Sequence, residues 1–134
     1  MRSRILITED DRSLLGAYRA LLGQDQDLAV DFAETPQQAH KLIEANQYDA
    51  ALFDIQLSDV IETGFDLLSE INRLRPGTPV LMMSSLDDEQ TVARCKELGA
   101  AGFAPKDLTF LPNFTRRIHG LLDRPDLPKW RNIL

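Results

Sequence analysis

The 134-residue sequence contains a single cysteine, Cys95. One thiol forms no internal disulfide, which excludes a disulfide-stapled scaffold and fits a reducing, cytoplasmic setting. No apolar run approaches the ~20 residues of a membrane span. The Ile5-Leu6-Ile7 stretch that follows Met1-Arg2-Ser3-Arg4 is too short for the apolar region of a signal peptide. Basic residues are in the minority, with 15 Lys+Arg against 21 Asp+Glu and a formal net charge of −6. That balance argues against non-specific binding to nucleic acid or to anionic lipid and is compatible with holding a metal cation. Internal repeats and low-complexity segments are also missing. What is present is ordinary for a soluble globular protein: 43% hydrophobic and 27% charged residues. The length favours one domain, which buries roughly two-thirds of its unfolded surface.

Apolar runs alternate with helical periodicity along the chain. Ile5-Leu6-Ile7-Thr8 reads as a short strand that ends abruptly at Glu9-Asp10-Asp11. Leu14, Leu15, Tyr18, Leu21 and Leu22 recur at helical spacing up to Gly23. Leu28, Val30 and Phe32 alternate with Ala29 and Asp31, the period of a half-exposed strand. Thr35-Pro36-Gln37-Gln38 carries an N-cap Thr, Pro at the first helical position and Gln at the third, the signature of a capping box. Ala50-Ala51-Leu52-Phe53 is a continuous apolar strand ending at Asp54. Phe65, Leu67, Leu68, Ile71 and Leu74 form a helix closed by Pro76-Gly77. Val80-Leu81-Met82-Met83 is a third buried strand, ending at Ser84-Ser85. The next helix opens near Asp87-Asp88-Glu89, acids placed well against the helix dipole, and stops at Gly99. Gly102-Phe103-Ala104 is a short strand ending at Pro105-Lys106, and the last helix starts near Pro112 with Phe114, Ile118, Leu121 and Leu122 on its apolar face.

Continuous apolar strands alternating with helices predict an α/β fold, a parallel sheet covered on both faces. The alternating second strand and the very short fifth belong at the edges. Right-handed crossovers then favour the order 2-1-3-4-5, a doubly wound, flavodoxin-like (βα)5 sandwich. In such a sheet ligands bind beyond the carboxyl ends of the strands, at the switch point between strands 1 and 3. That rim receives Glu9 and Asp10 from strand 1, Asp54 from strand 3, Ser84 from strand 4 and Lys106 from strand 5. Three clustered carboxylates repel, by about 4 kcal/mol for a pair ~4 Å apart at an effective dielectric of ~20. A hard divalent cation relieves this, and Mg²⁺ suits oxygen ligands and phosphate. A metal, a lysine, a hydroxyl and a free carboxylate together make a site for phosphoryl transfer to the carboxylate. Acids at strand ends are often helix N-caps, the role read here for Asp11, but capping does not require three acids at adjacent strands.

The chain resembles the receiver domains of two-component response regulators. The resemblance covers roughly residues 4 to 122. It rests on Ile5-Leu6-Ile7-Thr8-Glu9-Asp10-Asp11, on Leu52-Phe53-Asp54-Ile55, on Pro79-Val80-Leu81-Met82-Met83-Ser84-Ser85, and on Leu98-Gly99-Ala100-Ala101-Gly102-Phe103-Ala104-Pro105-Lys106-Asp107. It implies a phosphoacceptor signalling domain, residues 1–122, followed by a tail or the start of a linker, residues 123–134. Asp54 is the implied phosphoacceptor, supplied by a sensor histidine kinase or a histidine phosphotransfer protein. Asp10 is the implied direct Mg²⁺ ligand with Asp54 and the main-chain carbonyl of Gln56, and Glu9 acts largely through water. The resemblance further implies that Ser84 binds a phosphoryl oxygen, that Lys106 pairs with the phosphoryl group, and that Phe103 changes rotamer with Ser84 as a switch on the face of helix 4, strand 5 and helix 5. Such a domain assists its own phosphorylation and dephosphorylation without being an enzyme in the turnover sense. The resemblance admits a phosphorylation-dependent homodimer and implies no contact with nucleic acid or membrane through this domain.

Two positions depart from the family pattern. Ser58 stands where Pro is common, and the stretch from Ser58 to Gly64 is about two residues longer than usual. Ser85 stands where Ala or Gly is common. Three other classes fit less well. A flavodoxin-type cofactor binder needs a phosphate cradle after strand 1, where Glu9-Asp10-Asp11 repels phosphate. A haloacid-dehalogenase-type hydrolase resembles Asp-x-Asp, whereas Gln56 holds the second position. A phosphorylation-independent pseudo-receiver, a protein-binding module, usually lacks an acid or the lysine. Cys95 reads as a small half-buried helix residue, and His40 and His119 lie on helices away from the rim.

Overall fold

In the computed structural model, which describes residues 2–57 and 63–123, the apolar runs become five parallel strands. The elements alternate: β1 (Ser3–Thr8), α1 (Arg12–Leu22), β2 (Leu28–Ala33), α2 (Pro36–Ala45), β3 (Ala50–Asp54), α3 (Thr63–Leu74), β4 (Val80–Ser84), α4 (Glu89–Glu97), β5 (Gly102–Pro105) and α5 (Phe114–Asp123). The sheet order is β2-β1-β3-β4-β5, as the edge argument predicts. β3 and β4 are buried along their whole length, whereas the four middle residues of β2 are half-buried.

Strand side chains alternate between two faces, and each face has its own core. Leu6, Ala51, Phe53, Met82 and Phe103 pack with Ile43 of α2, Leu68 and Ile71 of α3 and Cys95 of α4. Ile5, Ile7, Leu52, Leu81, Met83 and Ala104 pack with Tyr18 and Leu22 of α1 and Phe114, Ile118 and Leu121 of α5. Cys95 is fully buried rather than half-buried, and burial pushes its thiol up to about 12. It is therefore a packing residue with negligible thiolate.

The helix ends follow the polar punctuation. Asp11 caps α1, accepting from the backbone N–H of Ser13 and Leu14. Asp88 caps α4 through Thr91. Gly77 and Gly99 take φ of 99° and 89°, where a Cβ is strained. The capping box of α2 is displaced by one residue. Thr35 accepts from the Gln38 N–H, but the Gln38 carbonyl reaches back to the N–H of Glu34, not of Thr35. α5 begins at Phe114, two residues beyond Pro112, because Asp107 first organises a turn by accepting from the Thr109 N–H and hydroxyl. Among the described residues no helix is long and apolar enough to cross a membrane.

Candidate functional site

Strand register brings the polar groups to one rim. Asp54 stands opposite Met83, and Ser84 opposite Pro105, so β3, β4 and β5 end within a residue of one another. The main-chain pairing of β1 with β3 stops at Ile7–Leu52. Beyond it the Thr8 hydroxyl accepts from the Asp54 N–H at 2.9 Å, so a side chain continues the join. On the far side of Asp54 the chain returns through Gly64 in the first turn of α3. Its N–H donates to the Ile55 carbonyl at 2.9 Å. A Cβ built on Gly64 would lie 2.1 Å from the Asp54 carbonyl oxygen, so this close approach admits only glycine.

The charges form one connected group. Glu9 is 1% exposed and Asp54 7% exposed. Lys106, reaching across from the end of β5, donates to Glu9 Oε1 at 2.7 Å and to Asp54 Oδ2 at 2.5 Å. Tyr18 also donates to Glu9 Oε1, at 2.8 Å. The Gln56 N–H donates to Asp54 Oδ1 at 3.2 Å. Two buried carboxylates face one ammonium, so compensation is incomplete. Burial, with Glu9 adding to it, pushes Asp54 up to about 6 despite Lys106. Burial acts to lower the Lys106 ammonium, but Asp54 and Glu9 outweigh it and its pKa is raised. Lys106 is thus a permanent cation here, and Asp54 is the group whose charge is costly.

Glu9, Asp10 and Asp54 each bring a carboxylate oxygen within 4.8 Å of the others. Asp10 is exposed at the mouth, Asp54 buried at the base. An all-oxygen set of this kind fits a hard divalent cation and offers nothing to a soft one. The three acids line a cavity of about 380 Å³ with Gln56, Ser84, Ser85 and Lys106. Every residue expected at the rim is therefore in one place.

Ser84 is buried and its Oγ accepts from the Leu86 N–H at 2.9 Å, a local turn bond that leaves its own proton to donate. Ser85 is exposed at the cavity edge. Phe103 is 3% exposed and lies in the core beside the β4 and α4 side chains. The lengthened stretch from Ser58 lies outside the described residues apart from its end at Thr63 and Gly64. His40 pairs with Glu70 between α2 and α3, and His119 with Asp25 at 2.6 Å, both away from the rim. His40, Glu44 and Glu70 form a second group of clustered donor atoms, with His40 and Glu44 exposed. Sequence reasoning did not find Thr8 or Tyr18 as site residues. Thr8 is one position before a recognised acid, and Tyr18 reads as part of an apolar helical stripe.

Comparison with known proteins agrees with this fold. Residues 5–111 match the family model described as the response regulator receiver domain. The chain is 31% identical over 124 residues to the regulatory protein VanRB of Enterococcus faecalis, covering 92% of this chain and 54% of that protein. It is 33% identical over 106 residues to the transcriptional regulatory protein KdpE of Staphylococcus aureus, covering 79% and 44%. The chain thus spans about half the length of these relatives. Among solved structures, the non-phosphorylated HemR receiver domain of Leptospira biflexa superposes with a TM-score of 0.81 at 33% identity, covering 90% of this chain and 94% of that one. A CheY-like receiver domain protein of Methanospirillum hungatei gives 0.81 at 28% identity, covering 92% and 95%.

Proposed function

The chain belongs to the response regulator receiver family, and on that premise we propose that Asp54 accepts a phosphoryl group from a phosphohistidine donor. The observation that carries this reading is the Asp54 carboxylate itself. It sits at the base of an open cavity, held at both oxygens by Lys106 and the Gln56 N–H, with two further acids beside it. A carboxylate oxygen of Asp54 attacks phosphorus, the P–N bond to the donor imidazole breaks, and the electron pair leaves with the imidazole nitrogen. Lys106 exchanges its contact with Asp54 Oδ2 for one with the phosphoryl group, as a compact point charge. Ser84, whose Oγ accepts from the Leu86 N–H, donates its own hydroxyl proton to a phosphoryl oxygen.

Asp10, Asp54 and the main-chain carbonyl of Gln56 would hold Mg²⁺, with Glu9 acting largely through water. An ion held by these residues would supply positive charge to offset the negative charge on the equatorial oxygens of the transferring group. The partner is a sensor histidine kinase or a histidine phosphotransfer protein in the cytoplasm. The domain acts as a signalling acceptor and not as a turnover enzyme, and it spans residues 1–122, with residues 123–134 as tail or linker. Ser84 and Phe103 form the switch that changes the surface of α4, β5 and α5, by shifting a population rather than building a new fold. The same reading admits a phosphorylation-dependent homodimer.

The test is intact-mass measurement after incubation with acetyl phosphate, with Mg²⁺ and with chelator. One added phosphate that appears only with Mg²⁺ supports the reading. No addition under either condition points instead to a pseudo-receiver that binds partners without phosphate.

A further inference from the structure

Tyr18 lies nine residues from Glu9 in sequence and is fully buried, yet it ends on the acidic site. A buried tyrosine hydroxyl needs a partner, and phenylalanine would fill the same space without one. Its partner is Glu9 Oε1, the same oxygen that accepts from Lys106. The other oxygen, Oε2, has a longer contact of 3.3 Å with the Asp11 N–H. The two donors on Oε1 differ in one respect. Lys106 also holds Asp54, so a phosphoryl group on Asp54 competes for it. Tyr18 has no such second acceptor among the described residues.

The Tyr18 ring stands in an aromatic stack that leads away from the site. It lies parallel to Phe114, with centroids 4.4 Å apart and planes 8° from parallel. Phe110 closes the group at 6.2 Å from Tyr18 and 5.4 Å from Phe114. All three are buried, and Phe114 is the first residue of α5. The path from the acidic site to α5 is therefore one hydrogen bond and one ring stack. It runs on the α1–α5 face of the sheet, opposite the core that holds Phe103.

We propose that Tyr18 is a positioning residue, which holds the Glu9 carboxylate when Lys106 turns to a phosphoryl group and so couples the loaded site to the seating of α5. The inference rests on the reading of Asp54 as phosphoacceptor. It adds a route to α5 that is separate from Ser84 and Phe103. Coupling of this kind is reciprocal: loading the site steadies the stack, and loosening the stack weakens loading.

The experiment compares binding of Mg²⁺ alone with binding of beryllofluoride in the presence of Mg²⁺, by calorimetry and by amide NMR shifts. Tyr18→Phe keeps the ring and removes only the hydroxyl. Its Mg²⁺ affinity should stay within about twofold of the parent, because Lys106 still serves Glu9. Its beryllofluoride affinity should fall about three- to tenfold, a fraction of one hydrogen bond to a charged group. Phe114→Leu keeps the hydroxyl and removes the stack, and it should weaken beryllofluoride in the same direction. In both variants the α5 amide shifts on loading should shrink, while those near Ser84 persist. Parental beryllofluoride affinity in Tyr18→Phe, or equal losses for the two ligands, would overturn the proposal. So would failure of Tyr18→Phe to fold, since Lys106 still serves Glu9 Oε1 in the unloaded protein. Unchanged loading in Phe114→Leu would overturn the link to α5. If the parent itself took up neither ligand, the phosphoacceptor reading would fall, and this inference with it.

Discussion

Lys106→Met tests the charge arrangement at the cation that bridges Glu9 and Asp54. The parent ammonium sits 2.7 Å from Glu9 and 2.5 Å from Asp54, both acids being almost fully buried. Removing it leaves two adjacent buried carboxylates, and breaking a buried pair this way costs about 3–5 kcal/mol. The loss depends on pH because Asp54 can neutralise itself. In the parent its carboxyl is raised from 3.8 to about 6. A folded-state acid with a raised pKa binds its proton more tightly than the unfolded chain does. Stability from this group therefore falls as pH rises between those two values, by about 3 kcal/mol across the window. Lys106 itself titrates above this range in both states and adds only a constant. Without it Asp54 moves higher still, so the window extends upward. Urea unfolding followed by far-UV circular dichroism should show a loss of about 3–5 kcal/mol near pH 8 that shrinks toward pH 5. A loss of the same size at every pH, or no loss, would refute the idea that Lys106 compensates two buried charges.

Three further outcomes follow from the same geometry. Gly64→Ala sets a methyl group 2.1 Å from the Asp54 carbonyl oxygen. It should cost about 1–3 kcal/mol in urea unfolding and slow labelling of Asp54 by acetyl phosphate. Mg²⁺ at 100-fold saturation should stabilise the parent by about 2.7 kcal/mol, whereas Asp10→Asn should need more Mg²⁺ for the same thermal shift. In NMR with beryllofluoride, parental shifts should spread from Ser84 through α4 to Phe103. In Lys106→Ala they should stay near Asp54, and in Ser84→Ala the spread should be reduced less, since a neutral hydrogen bond contributes less than a charged one.

The residues legible in the sequence were those whose role depends on where a strand ends. Glu9, Asp54, Ser84 and Lys106 each follow an apolar run, and parallel strands in register bring such positions to one rim without further information. The edge positions of β2 and β5 were legible for a similar reason, since alternation and shortness reflect solvent on one side. Contacts made across the fold by ordinary-looking residues were not legible. Tyr18 fits the apolar stripe of α1, and nothing local marks its hydroxyl as bound to Glu9. Thr8 belongs to the β1 apolar run, and its bond to the Asp54 N–H exists only because the backbone ladder stops one residue earlier. Lys106 was expected to meet phosphate, but not to bridge Glu9 and Asp54 beforehand. Gly64 was noticed for its late position, whereas its significance is the backbone of Asp54 pressed against it. The depth of Cys95 and Phe103 likewise depends on how closely α4 sits on the sheet.

The central claim is that one carboxylate, that of Asp54, takes the phosphoryl group. The most direct measurement is site mapping by tandem mass spectrometry after reaction with acetyl phosphate and Mg²⁺, the acyl phosphate being reduced to a stable alcohol before digestion. The account predicts modification at Asp54 in the parent and none in Asp54→Ala. Modification at Glu9 or Asp10 in the parent, or equal labelling of Asp54→Ala, would contradict it.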